Sequence, residues 1–347
     1  MIQFTLKVVE IRHETINTIT VCFKQPGLKK IKYSAGQYLT LIFRINNRTY
    51  HRPYSLSSAP GVDSTLNITI KKVPSGLVSN YAANHLKVGD IIEVLEPIGD
   101  FTLDGKNIPS NSHLVFWGAG SGITPLFSII KYVLYQDPSK QIMLIYGNRD
   151  RKDAIFYQEL EDLQKQYPAN FTVLYFYTKL AVEETSAKEF LGRIKPDYIL
   201  NIFAEENNLN DTYHYICGPN GLKDAVKEAL EIKRIPPDHV FSENFELIVN
   251  PVVFEGISTQ IVSIQNADEN YLVEVQKGKT ILEAGLDAMI DLSYSCQTGT
   301  CLLCKARLLS GEIKYITTTV NTDFLEEDEC LLCCSLPLTN NIKLLVS

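Results

Sequence analysis

His113-Leu114-Val115-Phe116-Trp117-Gly118-Ala119-Gly120-Ser121-Gly122-Ile123-Thr124-Pro125 is the stretch on which the fold turns. The apolar run Leu114–Trp117 reads as a strand buried on both faces. Three glycines in five positions then make a tight loop. Pro125 fits the first turn of a helix, where its missing N–H costs nothing, and apolar residues recur to about Leu134. Downstream, the patterning predicts a strand over 141–146, a helix over 154–166, strands over 171–177 and 213–217, and a helix over 221–232. Strands alternating with helices imply an α/β, doubly wound parallel sheet.

Working outward, residues before about 107 carry a different pattern. Phe4–Val9, Thr18–Phe23 and Leu66–Ile70 are β-branched or alternating and are separated by turn residues. Several short strands without a long helix predict an antiparallel β-barrel. A second change comes at Asn250-Pro251, which reads as a linker. The expected domains are therefore a barrel over 1–106, an α/β domain over 107–246, a linker over 247–257 and a small α+β domain over 258–347.

Composition fits this division. At 347 residues the chain suits two to three domains, with 45% hydrophobic and 21% charged residues. No apolar run reaches the ~18–20 residues of a membrane helix, so no membrane span is expected. The start lacks a basic segment followed by an apolar one, which points to a cytoplasmic protein. The net charge of −7 argues against nucleic acid as a partner, because phosphate contacts need a basic surface. Residues 258–347 hold twelve acidic against six basic residues, so nearly all of that charge sits in the last domain.

Cysteine placement is the sharpest chemical signal. Cys22 and Cys217 are isolated, whereas Cys296, Cys301, Cys304, Cys330, Cys333 and Cys334 fall within 39 residues. Disulfides suit short exported chains, so a metal site is the better reading. Zinc sites usually pair two C-x2-C units. Cys296-x4-Cys301-x2-Cys304, with a distant fourth cysteine, has instead the plant-type [2Fe–2S] spacing. One loop supplies three thiolates and a separate segment the fourth, which is Cys333 or Cys334.

Residues 258–347 resemble a plant-type ferredoxin domain with a β-grasp fold. Tyr294-Ser-Cys296, the x4–x2 spacing, Lys305-Ala306, Leu309-Ser-Gly-Glu312 and Cys333-x3-Pro337 carry the likeness. The three residues between Cys333 and Pro337 favour Cys333 as the fourth ligand by that resemblance. One departure is Leu302, where ferredoxins often have glycine. That bears on the hydrogen bonds to the cluster and hence on its potential.

Arg52-Pro53-Tyr54-Ser55, Gly76-Leu77-Val78-Ser79 and Gly99-Asp100-Phe101 follow one another at intervals of about twenty residues. Together they resemble the flavin motifs of the ferredoxin–NADP reductase family. The resemblance implies FAD rather than FMN. Tyr54 would pack on the isoalloxazine, Ser55 would face N5, and Arg52, beside Pro53, would neutralise the phosphates. Ser79 and the amides around Gly76 and Val78 would complete the cradle, since a pyrophosphate needs a fixed cation and free N–H groups.

Gly118, Gly120 and Gly122 with Thr124-Pro125 match the family's pyridine-nucleotide loop. Cys217-Gly218-Pro219 matches its nicotinamide-side motif. Ser55, Cys217 and Glu243 are thereby the catalytic candidates, and Phe245 is a further flavin-side candidate. A 2′-phosphate needs positive charge where a ribose diol wants a carboxylate. Arg149 and Lys179, at the ends of the second and third α/β strands, lean the reading toward NADPH over NADH.

The resemblance covers the whole chain and implies a reductase. Electrons would pass from NAD(P)H through FAD to a [2Fe–2S] cluster and on to an acceptor docking near the ferredoxin domain. Within the family the likeness is strongest to reductases of the phenylacetyl-CoA epoxidase type, so an oxygenase is the expected partner. A desaturase, a ring hydroxylase or a hybrid-cluster protein is the alternative acceptor. A purely redox-sensing role would need a DNA-binding or signalling segment, and the three domains leave no residues for one.

Overall fold

The computed structural model describes residues 3–26, 31–179, 188–203, 211–247, 249–317, 320 and 322–346. Spatial proximity divides the chain into two compact units: 1–43 with 54–243, and 44–53 with 244–347.

Unit 1 begins with the strands of an antiparallel sheet. These are β1 (Gln3–Thr15), β2 (Thr18–Lys24), β3 (Tyr38–Ile45), β4 (Arg48–Ser55), β5 (Leu66–Lys71) and β6 (Ile91–Leu95), with α1 (Leu77–His85) before β6. Their order is β4-β3-β6-β1-β2-β5, and an antiparallel bridge from Leu56 to Ile68 joins the two edges into a barrel. Alternate residues such as Leu6, Val8, Val21, Leu39, Leu41, Ile68 and Ile70 fill its interior. The end of β3 from Arg44, the turn after it and β4 as far as Pro53 belong to unit 2.

The rest of unit 1 is the doubly wound layer: β7 (His113–Ala119), α2 (Ile123–Gln136), β8 (Ile142–Asn148), α3 (Tyr157–Gln166), β9 (Phe171–Tyr177), β10 (Glu189–Leu191), α4 (Pro196–Ile202), β11 (Thr212–Cys217), α5 (Asn220–Ile232) and β12 (Val240–Glu243). The parallel order is β10-β9-β8-β7-β11-β12. Successive residues of one strand serve opposite faces. Leu114, Phe116, Leu144 and Tyr146 join α2 and α3, while Val115, Trp117, Ile145 and Ile216 join α4 and α5. His214 lies inside this core, accepting from Trp117 Nε1 at 3.1 Å and paired with Thr212 at 2.9 Å. Burial holds it uncharged, with a pKa pushed down to about 3.

Helix α2 is anchored to the barrel. Ser128 Oγ donates to Ser58 O at 2.6 Å, and Lys131 pairs with Asp63 at 2.6 Å. One predicted boundary differs. Helix α3 starts at Tyr157, not at 154, because Asp150 accepts from Asp153 N and closes a separate 3-10 turn. Phe156 then takes a left-handed conformation, φ 61°, before the helix begins.

Unit 2 contains β13 (Gln260–Asn266), β14 (Glu269–Val275), α6 (Ile281–Asp287), β15 (Lys305–Ser310), β16 (Ile313–Tyr315), β17 (Glu329–Leu331), β18 (Ser335–Pro337) and β19 (Lys343–Val346). The main sheet runs β14-β13-β19-β15-β17, with β13 and β19 parallel, and α6 packs on it: a β-grasp. Thr280 and Glu283 form a capping box at the start of α6. The helix ends at Asp287, and Met289, two residues on, has φ 63°. Leu247, Val249, Val253 and Phe254, expected as linker, pack on the core of this unit.

Candidate functional site

Three loops carry the chemistry, and each is shaped by backbone demands. The first follows β7. Gly120 sits at φ 55° and Tyr146 Oη donates to its carbonyl at 3.1 Å. A Cβ on Gly122 would lie 2.1 Å from Cys217 O, and one on Gly218 would lie 3.2 Å from Ala119 N. The glycine loop and the Cys217-Gly218-Pro219 turn therefore touch backbone to backbone, at the carboxyl ends of adjacent strands. Thr124 Oγ1 closes the turn on Ser121 O at 3.0 Å, and Pro125 is buried in the first turn of α2. No side chain caps that helix start and no acidic residue lies in its first turn. Such a terminus suits an anion.

Register then sets three groups side by side. Cys217 is paired with Gly118 on β7 and with Glu243 on β12. The Cys217 thiol is fully buried, and burial first, then Glu243, pushes its pKa well up, so it stays protonated. Glu243 is only part-buried as a residue, yet its Oε2 is enclosed and has no hydrogen-bond partner among the described residues. Desolvation first and Asp100 second push its carboxyl up to about 8, against the pull of Lys223. A neutral thiol and a neutral acid beside a glycine loop leave a low-charge edge suited to a nicotinamide.

Sequence reading missed Lys71. Its residue is exposed, but a Cβ on Gly120 would lie 3.4 Å from its Nζ. Desolvation lowers its pKa, Asp153 raises it and Arg149 lowers it, so Lys71 stands beside Gly120 with Arg149 within its electrostatic reach. Arg149 and Lys179 are both exposed, and the Lys179 amide donates to Arg149 O at 2.7 Å, which holds the two together. An open depression between α3 and β9, lined by Tyr157, Glu161, Lys165, Tyr175 and Glu189, is a separate feature. Its polar groups already bond one another: Arg151 forks onto Glu189, and Tyr175 donates to Glu161.

The second loop is Gly76–Ser79. Helix α1 starts there with no side-chain cap and no acid in its first turn, and Val78 and Ser79 are buried. A Cβ on Gly76 would meet Ser79 Oγ at 2.7 Å. Both features fit a phosphate. Ser55 is buried and Tyr54 half-buried at the end of β4. Earlier on the same strand, in unit 2, Arg52 donates to His51 O at 2.8 Å and has no carboxylate partner among the described residues. Phe245 follows Glu243 in the chain and is 44% exposed.

The third loop holds the thiols. All eight cysteines are free. Cys296 is hydrogen-bonded to Cys301 and Cys333, and Cys304 to Cys333. Hydrogen bonds from those neighbours hold Cys296 well below the usual thiol range, while Cys301 and Cys333 are pushed up. The amides of Thr298, Leu303 and Cys333 point at the sulfurs of Cys296, Cys301 and Cys304. The four thiols thus form two linked pairs, which fits a two-iron centre. Of the neighbouring thiols, Cys334 is bonded to Cys333, with 3.5 Å between sulfurs. Leu302 adopts φ 62°, so the left-handed turn is kept although glycine is absent. Cys22 and Cys330 are buried core residues, their thiols raised by burial to about 11 and about 12.

His51 was also missed by sequence reading. Its amide donates to Tyr294 Oη at 3.0 Å, its Nδ1 lies 2.9 Å from Tyr294 O, and the rings stack at 4.6 Å. Tyr294 stands two residues before Cys296.

A barrel with an uncapped, acid-free helix start, a glycine loop beside a buried thiol and three loop thiols meeting a fourth from a separate segment fit a flavin- and iron–sulfur-dependent electron-transfer oxidoreductase. The comparisons agree. Residues 5–103 match the oxidoreductase FAD-binding domain, 116–228 the oxidoreductase NAD-binding domain, and 264–338 the 2Fe-2S iron-sulfur cluster binding domain. The chain is 30% identical to a subunit of 1,2-phenylacetyl-CoA epoxidase from Escherichia coli (strain K12), over 97% of this chain and 96% of that one. It is 31% identical to the ferredoxin reductase component of 3-ketosteroid-9-alpha-monooxygenase from Rhodococcus rhodochrous, over 98% and 95%. Phthalate dioxygenase reductase shares the fold, with TM-score 0.68 and 21% identity over 99% and 98% of the two chains. The chain belongs to the ferredoxin–NADP reductase-type oxidoreductases that carry a C-terminal [2Fe–2S] domain. Its cofactors are FAD and a [2Fe–2S] cluster, and its electron donor is a nicotinamide nucleotide. Among the described residues no helix is long and apolar enough to cross a membrane.

Proposed function

We propose that the chain oxidises NADPH in preference to NADH and feeds single electrons to an oxygenase of the phenylacetyl-CoA epoxidase type. When bound, FAD takes two electrons as a hydride and releases them singly, and the cluster carries one at a time. The protein's role is to position, neutralise and exclude water.

The observation that carries the reading is the register that sets Gly118, Cys217 and Glu243 side by side. Cys217 serves as a small, uncharged wall beside the nicotinamide, and Glu243 as a proton store near neutral pH. Ser55 faces the flavin N5 and Tyr54 lies on its ring. Arg52, with Pro53 before that ring, and the Gly76–Val78–Ser79 turn hold its phosphates. Gly120, the start of α2 and Lys71 take the nucleotide pyrophosphate, with Arg149 and Lys179 on the 2′-phosphate and Gly218-Pro219 closing the nicotinamide side. Phe245 covers the flavin. Cys296, Cys301, Cys304 and Cys333 would hold the cluster, which would carry one electron at a time.

The full-length likeness to a component of an epoxidase supports the acceptor. The exposed Asp323, Glu326, Glu327 and Asp328 support docking at the ferredoxin domain by a partner with a basic patch. Eight free thiols suit a reducing cytoplasm.

Anaerobically purified protein tests the assignment. Flavin bands and a broad cluster absorption, both bleached by NADPH, are expected. Cys296→Ser should lose the broad absorption and keep flavin bleaching. A native chain reconstituted with iron and sulfide that shows only flavin would overturn it. Electron delivery to the oxygenase should slow as salt rises, and a rate flat across ionic strength would remove the acidic docking face.

A further inference from the structure

Cys334 is a buried thiol that the electron path leaves unused. It is 0% exposed and follows Cys333 in a single 3-10 turn, Leu332–Cys334. Its carbonyl accepts from Ile316 N at 2.8 Å, which fixes its peptide. Its sulfur lies 3.5 Å from that of Cys333, whereas Cys333 is the residue bonded to Cys296 and Cys304. The other side of the Cys334 sulfur faces the cluster loop. A Cβ on Gly299 would lie 2.9 Å from it, and Gly299, at φ 81°, leaves the room the thiol occupies. The thiol is therefore wedged between a ligand sulfur and the turn that joins Cys296 to Cys301.

We propose that Cys334 binds no iron and is a positioning residue that tunes the cluster: its S–H donates to the Cys333 sulfur and raises the reduction potential. The inference rests on Cys333 being the fourth ligand. A thiol is a weak donor but a metal-bound thiolate is a good acceptor. Reduction adds negative charge to the cluster sulfurs, so a donor there stabilises the reduced form more than the oxidised one. Without it, the cluster would be a poorer electron acceptor from the flavin.

The test compares Cys334→Ala, Cys334→Ser and Cys333→Ala in the full chain with FAD bound. Redox titration and electron paramagnetic resonance of the dithionite-reduced protein are the readouts. Cys334→Ala should keep the cluster absorption and shift the one-electron equilibrium about tenfold toward the oxidised form, about −59 mV. Cys334→Ser keeps a donor and should retain or exceed the native potential. A native potential in Cys334→Ala overturns the proposal, and so does a serine variant that behaves like alanine. Loss of the cluster in both Cys334 variants, with its retention in Cys333→Ala, overturns the ligand assignment instead. Loss only in Cys333→Ala, with the potential shift in Cys334→Ala, supports both.

Discussion

The nucleotide loop and the thiol loop both depend on unusual backbone, but for opposite reasons. At Gly122 the constraint is space: the conformation is ordinary, yet a single Cβ would sit 2.1 Å from the Cys217 carbonyl oxygen and 2.8 Å from Gly218 N. At Gln297 and Leu302 the constraint is torsion: both hold φ near 60° while carrying full side chains. Packed backbone has no slack to give, whereas an unfavourable torsion costs a bounded amount that other bonds can offset. Where a glycine is required by contact, nothing replaces it. At Leu302, where torsion alone favours it, this chain has replaced it.

The largest break in that comparison comes from Gly122→Ala. Its neighbours are main-chain atoms at the end of β11, so the change must push the loop away from that strand. A loss of about 3 kcal/mol or more is expected, together with loss of NADPH-driven flavin bleaching. Thermal unfolding and stopped-flow reduction would read both. A variant that melts and reduces like the native chain would mean that the two backbones do not touch.

Charge sharpens the comparison next. The Glu243 carboxyl keeps its proton up to about pH 8 in the folded chain, against an ordinary value of 4.5. Between those limits the folded form holds more protons than the unfolded form. Stability is therefore full below about 4.5, falls as pH rises, and levels off above about 8. The steepest slope is about 1.4 kcal/mol per pH unit. Glu243→Gln should flatten that slope in denaturant titrations and remove any loss of flavin turnover above pH 8. A slope unchanged by the substitution would show that another group titrates.

Lys71→Met is the third test. It removes one cation from beside Gly120 and leaves Arg149. A rise of about tenfold in the KM for NADPH is expected, with little change in thermal midpoint because the side chain is exposed. An unaltered KM would leave the loop backbone as the whole anion site.

These residues also mark where sequence reading stops. The strand, glycine loop and Pro125 made the α/β layer legible, because burial on both faces and a helix start each leave a local pattern. The x4–x2 spacing did the same for the thiols, since one short loop must supply three sulfurs. Lys71 left no such trace: 49 residues separate it from Gly120, and only the meeting of β5 with the loop brings them together. His51 and Tyr294, 243 residues apart, were equally silent. The start of α3 was misread because Asp150 closes a turn through its side chain, which periodicity does not record. Cys333 and Cys334 are chemically alike and adjacent, so the thiol spacing alone does not separate them; in the fold it is the Cys333 sulfur that meets Cys296 and Cys304.

Leu302→Gly carries the smallest expected effect and probes the torsional half of the comparison directly. Holding Leu302 at φ 62° costs roughly 1–2 kcal/mol, which glycine would release. Glycine in turn loses about 0.5–1 kcal/mol in chain entropy and forfeits the contact Leu302 makes with the core of its unit. The two sides nearly cancel, so the holoprotein should shift by less than about 1 kcal/mol in either direction. The Leu303 amide that points at Cys301 is set by the torsion and not by the side chain, so the cluster's resonance signal should stay as it is. A loss comparable to that of Gly122→Ala, or an altered signal, would mean that the leucine itself packs the cluster and that both loops obey one rule after all.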